Sequence, residues 1–219
     1  MKERGMIFNS EMVRAILDGR KTQTRRIMKE QPVLNGNFYE VFGSAWSKGM
    51  TSIPAVPGHS LSTRCPFGAV GDRIWVRETF CPVDDTQYGG EKWVDYRATP
   101  RYEASHPAGW DSAPNDAEAL KWRPSIHMPH WASRILLEIT DVRVERLNAI
   151  SEEDARAEGI IDGGCLNCGE PEPCGCANPE PDATDAFAYL WQSIYGQESW
   201  NANPWVWVIE FKRVEGGAT

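Results

Sequence analysis

The sequence lacks any apolar run long enough to cross a membrane, since no stretch approaches the ~18 consecutive apolar residues of a spanning helix. Residues 1–5 are mostly charged or small and lack the hydrophobic stretch of a signal peptide. No segment repeats at a fixed period, which argues against a solenoid. These absences predict a soluble, cytoplasmic protein that does not associate with membranes.

Basic residues are in the minority, because 23 Lys and Arg stand against 31 Asp and Glu, for a net charge of -8. This balance argues against a protein that coats nucleic acid non-specifically. The charge is unevenly distributed, however: residues 1–29 carry eight basic and three acidic side chains, whereas residues 151–185 carry one basic and ten acidic ones. The basic segment is therefore a candidate anion-binding surface. The acidic segment is a candidate contact for a protein partner, although either could be an ordinary solvated face.

Aromatic residues are abundant, with ten Trp, seven Phe and six Tyr among 219 residues. This much packing surface excludes collagen-like, coiled-coil and disordered chains, and the length allows one decorated domain or two small ones. Residue spacing predicts helices over 10–19, 151–159 and 187–195, and strands near 6–8, 22–27, 73–80, 93–97, 132–146 and 205–211. Because strands and helices do not alternate regularly, the order predicts an α+β fold with a small, barrel-like β core.

The most distinctive pattern directly follows the first predicted helix. Residues 19–26, Gly-Arg-Lys-Thr-Gln-Thr-Arg-Arg, fit the pattern G-x-K-x-x-T-x-R. This segment resembles the signature of the ASCH family, and three further segments agree with that family in order, at 71–78, 151–159 and 206–212. The resemblance implies a PUA-like small β-barrel with peripheral helices. It also implies that residues 1–219 form a single domain with long, irregular insertions near 30–68, 81–130 and 162–184.

The family resemblance also suggests an activity. The family includes small bacterial amidohydrolases that remove the acetyl group from N4-acetylcytidine with a Lys and a Thr of the motif and a Glu near the end of a later helix. By motif position these residues are Lys21, Thr24 and Glu158. Other members are proposed ribonucleases or RNA binders, and long insertions with a Cys cluster resemble ASCH proteins of phages and prophages. We therefore expect a hydrolase acting on RNA or a modified nucleoside, with a non-catalytic RNA or modified-base binder and a phage or host protein adaptor as alternatives.

Amide hydrolysis requires a nucleophile, a proton acceptor and stabilisation of the oxyanion. Thr24 offers a hydroxyl that needs a neighbouring base. Lys21 could be that base if burial or nearby Arg residues lower its pKa, or it could stay protonated and stabilise the oxyanion. Glu158 could move a proton or position water. The alternative is that these are ordinary surface, strand and helix-end residues.

Four further residues are predicted to contact the substrate: Gly19, Arg25, Arg26 and Glu78. Arg26 can hold a phosphate or carboxylate through two hydrogen bonds. Gly19 and Arg25 belong to the same motif. Glu78 shares a predicted strand face with apolar residues, where a carboxylate is costly to bury without a partner, so an ion pair with a core-facing Arg is the alternative for this residue.

Four cysteines lie within twelve residues, at Cys165, Cys168, Cys174 and Cys176. Neighbouring Gly and Pro residues permit the tight turns of a four-thiolate zinc site, so a structural zinc ion is expected and no organic cofactor. A metal-free loop and a redox pair are the alternatives. Cys65 and Cys81 are expected to be buried small apolar residues.

Overall fold

The computed structural model describes residues 1–42, 50–56, 59–84, 86, 91–101, 121–161 and 183–214, which form a mixed α+β fold. The strands are β1 (Glu3–Ile7), β2 (Gln23–Ile27), β3 (Val33–Asn35), β4 (Phe38–Phe42), β5 (Met50–Pro54), β6 (Arg73–Arg77), β7 (Phe80–Asp84), β8 (Lys92–Tyr96), β9 (Leu136–Arg146) and β10 (Trp205–Arg213). The helices are α1 (Ser10–Leu17), α2 (Glu152–Ala157), α3 (Ala183–Tyr195) and α4 (Gln197–Asn201). The predicted α+β class is confirmed.

The chain divides into two compact units. Unit 1 contains residues 1–18, 72–138 and 213–219, and unit 2 contains residues 19–71 and 139–212. The strands of the described residues pair into open sheets, so the PUA-like barrel stays a prediction, as does the single domain with three insertions. Among the described helices, none has both the length and the apolar character of a membrane span.

Unit 1 is built on β1, which runs parallel to β6 with Glu3 opposite Arg73. Strand β6 pairs antiparallel with the first residues of β9, and β7 and β8 form an antiparallel hairpin. Helix α1 follows β1, and its N-cap is Asn9, whose side chain accepts a hydrogen bond from the Met12 backbone N–H. Residue 10 is thus the first residue of the helix, and not its cap.

Unit 2 combines the rest of β9 with β10, and β10 pairs antiparallel with β2. Helices α2 and α3 pack against this sheet through an apolar cluster that includes Ala155, Phe187, Trp191 and Val206. Helix α2 begins after Ser151, whose side chain accepts from the Asp154 backbone N–H, which confirms the predicted helix start.

The segment predicted as an irregular insertion near 30–68 contains the three-stranded sheet β3–β4–β5, so its irregular character was a wrong expectation. Asn35 lies opposite Phe38, which leaves a two-residue turn at Gly36 and Asn37. Gly36 has a φ of 58°, the left-handed conformation that such hairpin turns require. The strands are short and carry exposed apolar residues, among them Val33, Phe38 and Phe42, so apolar and polar residues do not alternate clearly along them.

Candidate functional site

The candidate site in unit 2 forms where the chain entering β2 runs beside the end of α2. Gly19 adopts a φ of 77°, which favours glycine and lets the chain change direction before the motif. Lys21 forms an isolated antiparallel bridge with Glu158, and the Thr22 backbone N–H donates to the Ala157 carbonyl over 2.8 Å. The backbone contacts thus fix the motif against the helix end and bring Lys21 to Glu158.

Lys21 and Glu158 form a buried ion pair. The Lys21 Nζ donates to Glu158 Oε2 over 2.6 Å and to the Glu158 carbonyl oxygen over 2.8 Å. The side chain of Lys21 is 0% exposed and that of Glu158 is 4% exposed. The structure therefore brings together two of the three predicted catalytic residues, which are 137 positions apart in sequence.

Burial lowers the pKa of Lys21 below its ordinary value, because removal from water disfavours the ammonium ion. The Glu158 carboxylate opposes this effect, and the charges of Arg26 and Arg25 reinforce it. The net direction is still a lowered pKa for Lys21. A lowered pKa is what a lysine needs in order to act as a general base.

Arg25 is bound by protein carboxylates on three sides. Its guanidinium lies 2.9 Å from Asp154 Oδ2, 3.3 Å from Glu145 Oε2 and 3.4 Å from Glu158 Oε1, and its side chain is 0% exposed. Both terminal nitrogens of Arg25, Nη1 and Nη2, contact protein carboxylates. Its predicted contact with a substrate stays a prediction, and the observed role is electrostatic.

A second arginine closes a ring of ion pairs with Arg25. Arg143 Nε donates to Glu145 Oε1 over 2.6 Å, and Arg143 Nη2 donates to Asp154 Oδ1 over 2.8 Å. Because Glu145 and Asp154 each contact both arginines, the four residues alternate in charge around a closed circuit, here called the acid–arginine ring. Its members are Arg25, Asp154, Arg143 and Glu145.

The acid–arginine ring contacts further polar side chains, and its arginines shift the pKa of Asp154. Gln23 donates to the Asp154 carbonyl over 2.7 Å and accepts from Arg143, which also pairs with Glu210. Partial burial alone would raise the pKa of Asp154, but the charges of Arg25 and Arg143 outweigh it and lower that pKa. The two arginines therefore favour the carboxylate form of Asp154.

Sequence reasoning missed Arg143, Glu145, Asp154, Gln23 and Glu210. A signal was present, because Asp154 and Glu158 are spaced i, i+4 on α2 and so share one helix face. Gln23 and Arg25 likewise share one face of β2, as alternate residues in a strand do.

Thr24 is 2% exposed and lies opposite Ile209 of β10. Strand alternation places Thr24 and Arg26 on the face of β2 opposite to Gln23 and Arg25. Among the described residues, Thr24 Oγ1 makes no hydrogen bond to Lys21 or Glu158. The roles of Thr24 as nucleophile and of Arg26 as substrate contact stay predictions.

Glu78 belongs to unit 1 and has a partner of its own. Its carboxylate accepts from Arg134 Nε over 2.9 Å and from Arg134 Nη2 over 3.0 Å, and Arg134 Nη1 donates to Thr99 over 2.8 Å. Glu78 is 2% exposed. This is the arginine ion pair that was considered as the alternative, and its predicted contact with substrate stays a prediction.

The predicted zinc ligands Cys165, Cys168, Cys174 and Cys176 lie outside the described residues, so the structural zinc ion stays a prediction. Within the described ranges, no three His, Cys, Asp or Glu side chains form a group that could hold a metal ion. Cys81 is buried as expected, and burial raises the pKa of its thiol, whereas Cys65 is half-buried.

Fold and site together define an α+β protein with a fully buried lysine–glutamate pair beside an acid–arginine ring. Comparison with known proteins finds no match to a family model, to a curated protein or to a solved structure. The likeness to the ASCH family therefore depends on the motif and on the order of the segments around it.

Proposed function

We propose that unit 2 carries the active site of an ASCH-type, PUA-like hydrolase that cleaves an acyl amide on a modified nucleoside or on RNA. The observation that carries this proposal is the buried contact of 2.6 Å between Lys21 Nζ and Glu158 Oε2. A lysine with a lowered pKa, held beside a carboxylate, is an arrangement suited to proton transfer.

The reaction needs one proton acceptor and one attacking oxygen. Neutral Lys21 accepts a proton as the oxygen attacks the acyl carbon, and its ammonium form then donates to the departing nitrogen as the C–N bond breaks. With water as the other reactant, the products are a carboxylic acid and the free amine. Water suits the observed geometry better than Thr24, because Thr24 lies on the opposite face of β2 from Gln23 and Arg25.

The acid–arginine ring supports this chemistry by fixing the charge around Glu158. Asp154 and Glu145 neutralise Arg25, which contacts Glu158 at 3.4 Å, whereas Lys21 lies much closer to the same carboxylate. Glu158 therefore acts chiefly on Lys21. Because the Lys21 side chain is fully buried here, turnover also requires an opening that brings the substrate to Nζ.

The direct test is an assay of N4-acetylcytidine and of short acylated RNAs, with chromatography of the released nucleoside. The wild type should release the deacylated product, and Lys21→Ala should not. Lys29→Ala is a matched control, because Lys29 lies in the same basic segment and is exposed. Circular dichroism of each variant separates loss of activity from loss of fold. An active, folded Lys21→Ala protein would refute the assignment.

A non-catalytic reader of RNA or modified bases is the second candidate. It is favoured by the same pair, because Nζ makes two hydrogen bonds within the protein and, among the described residues, neither Lys21 nor Glu158 is hydrogen-bonded to Thr24. Under this function the wild type binds the acetylated ligand, as measured by calorimetry, and releases no product. If it neither binds nor reacts, the third candidate gains support, in which the acidic segment contacts a phage or host protein.

A further inference from the structure

Unit 1 contains a cleft of about 330 Å³ beside the β7–β8 hairpin. Its volume falls at the lower end of the range for small-ligand pockets, roughly 300–1,000 Å³. The walls are mainly apolar and include two indole rings, and one ion pair lies at the edge. The lining residues used below are Val83, Val94, Trp93, Trp131, Asp84 and Lys92.

Trp131 is the most exposed of the described tryptophans at this cleft. It is 70% exposed, although it sits in a short 3₁₀ turn, His130–Ala132, whose last residue is buried. The turn is held by the Ser133 backbone N–H, which donates to the His130 carbonyl over 3.0 Å. An ordered turn thus presents a large apolar ring to water at the wall of an apolar cleft, which is typical of a binding surface.

Trp93 forms another part of the cleft wall and packs on buried residues of unit 1. It packs, together with Trp122, on the buried pair Cys81 and Val83. The guanidinium of Arg101 lies 5.5 Å from the centre of the Trp93 ring. One aromatic wall is therefore supported by the hairpin and has a cation close to its ring.

The charged side chains at this cleft indicate which charge a bound ligand should carry. Asp84 and Lys92 pair with each other over 2.9 Å, and hydrogen bonds from Thr86 and Lys92 lower the pKa of Asp84 to about 2. Among the described residues that line the cleft, Asp84 supplies the carboxylate, and Lys92 already matches its charge. Arg101 at Trp93 and Arg97, 5.2 Å from the ring of Trp122, make the surroundings unfavourable for a cationic ligand.

A neutral planar ring that carries an anionic group fits these features. We propose that the cleft binds an unpaired base of a single-stranded nucleic acid, with the base against Trp131 and Trp93 and its phosphate near Lys92 and Arg101. Aromatic platforms flanked by basic side chains bind single strands in this way, because every base has a stacking face and every linkage a charge. This site is distinct from Lys21 and Glu158 and does not depend on hydrolysis there.

Fluorescence anisotropy with labelled single-stranded RNA and DNA oligonucleotides tests this proposal on the full chain. Trp131→Ala should weaken binding by about fivefold or more, since stacking on one aromatic ring contributes this much per base. Tyr189→Ala is the matched control, because Tyr189 is 71% exposed on α3, and it should bind as the wild type does. Lys92→Glu should weaken binding and reduce its dependence on salt.

Three results would overturn the proposal. The first is equal affinity of Trp131→Ala and Tyr189→Ala for both oligonucleotides. The second is no measurable binding of either strand by the wild type. The third is binding of a trimethyl-lysine peptide in preference to oligonucleotides, with loss in Trp131→Ala, which would identify the cleft as a site for a cationic peptide. The relative affinities for RNA and DNA decide which single strand the cleft prefers.

Discussion

Substitution Glu158→Gln isolates the electrostatic part of the lysine–glutamate pair, because glutamine keeps the shape and one hydrogen-bond acceptor of the carboxylate. Lys21 would then be a buried cation whose closest opposite charge is gone, since its side chain is 0% exposed. Removing one partner of a buried ion pair costs about 3–5 kcal/mol. The Glu158 carbonyl still accepts from Nζ, so we expect a loss in the free energy of unfolding near the lower end, about 3 kcal/mol.

This loss should depend on pH in a defined direction. Burial lowers the pKa of Lys21 in the folded state, and Glu158 is the group that opposes that shift. The folded protein therefore binds fewer protons than the unfolded chain, and stability rises with pH between the folded and the ordinary lysine pKa. Without the carboxylate the folded pKa falls further. The deficit of Glu158→Gln should thus be largest at low pH and should shrink as pH rises to the wild-type pKa of Lys21.

Urea denaturation followed by circular dichroism, at pH values of about 6 and about 9.5, measures the deficit at both ends. Glu145→Gln is the matched control, because Glu145 belongs to the acid–arginine ring but its side chain is 28% exposed. This substitution should lower the free energy of unfolding by less than Glu158→Gln does. A deficit of the same size at both pH values would show that Lys21 does not lose its proton in this range. That result would also remove the basis for its proposed role as a base.

Two further substitutions test other parts of the structure. Asp154→Asn removes a carboxyl group whose pKa is lowered, because the charges of Arg25 and Arg143 outweigh the effect of partial burial. The stabilisation that this carboxylate provides is complete above the ordinary Asp pKa, and it is lost as pH falls through the pKa of the folded state. Urea titrations should thus show the variant as less stable near neutral pH and approaching the wild type as pH falls through the lowered pKa of Asp154, and a constant difference would contradict this. Gly5→Ala places a Cβ 2.6 Å from the Trp75 ring, so overpacking should cost about 1–3 kcal/mol and lower the melting temperature, whereas an unchanged melting temperature would contradict the packing of β1 on β6.

The sequence predicts the α+β class and most of the major elements correctly, because these depend on local signals. The start of α2 at Ser151 and the helical spacing of Phe187 and Trp191 are examples. The hairpin turn at Gly36 and Asn37 was missed although Gly-Asn is a turn signal, since the flanking strands alternate weakly. A helix or strand can be predicted from its sequence when its apolar residues lie mainly on the buried face.

Site residues could be predicted from the sequence only where they belong to a recognised motif. The family pattern paired Lys21 with Glu158, and the structure places them in contact. The acid–arginine ring has no such motif, because Arg25, Arg143 and Asp154 come from β2, β9 and α2. In sequence each resembles an ordinary surface charge. Only the pairing of β2 with β10, and of β10 with β9, reveals that they converge.

The energetics of this cluster indicate why it bears on function. Three cations, Lys21, Arg25 and Arg143, meet five carboxylates, and two of the cations have fully buried side chains. Well-packed apolar residues in place of a buried ion pair are often as stabilising or more so, so stability alone does not account for the arrangement. An apolar core could not supply a buried lysine with a lowered pKa beside a carboxylate. The proposed hydrolysis requires such a lysine, and the carboxylates around Arg25 and Arg143 offset the charge of these two neighbouring guanidinium groups.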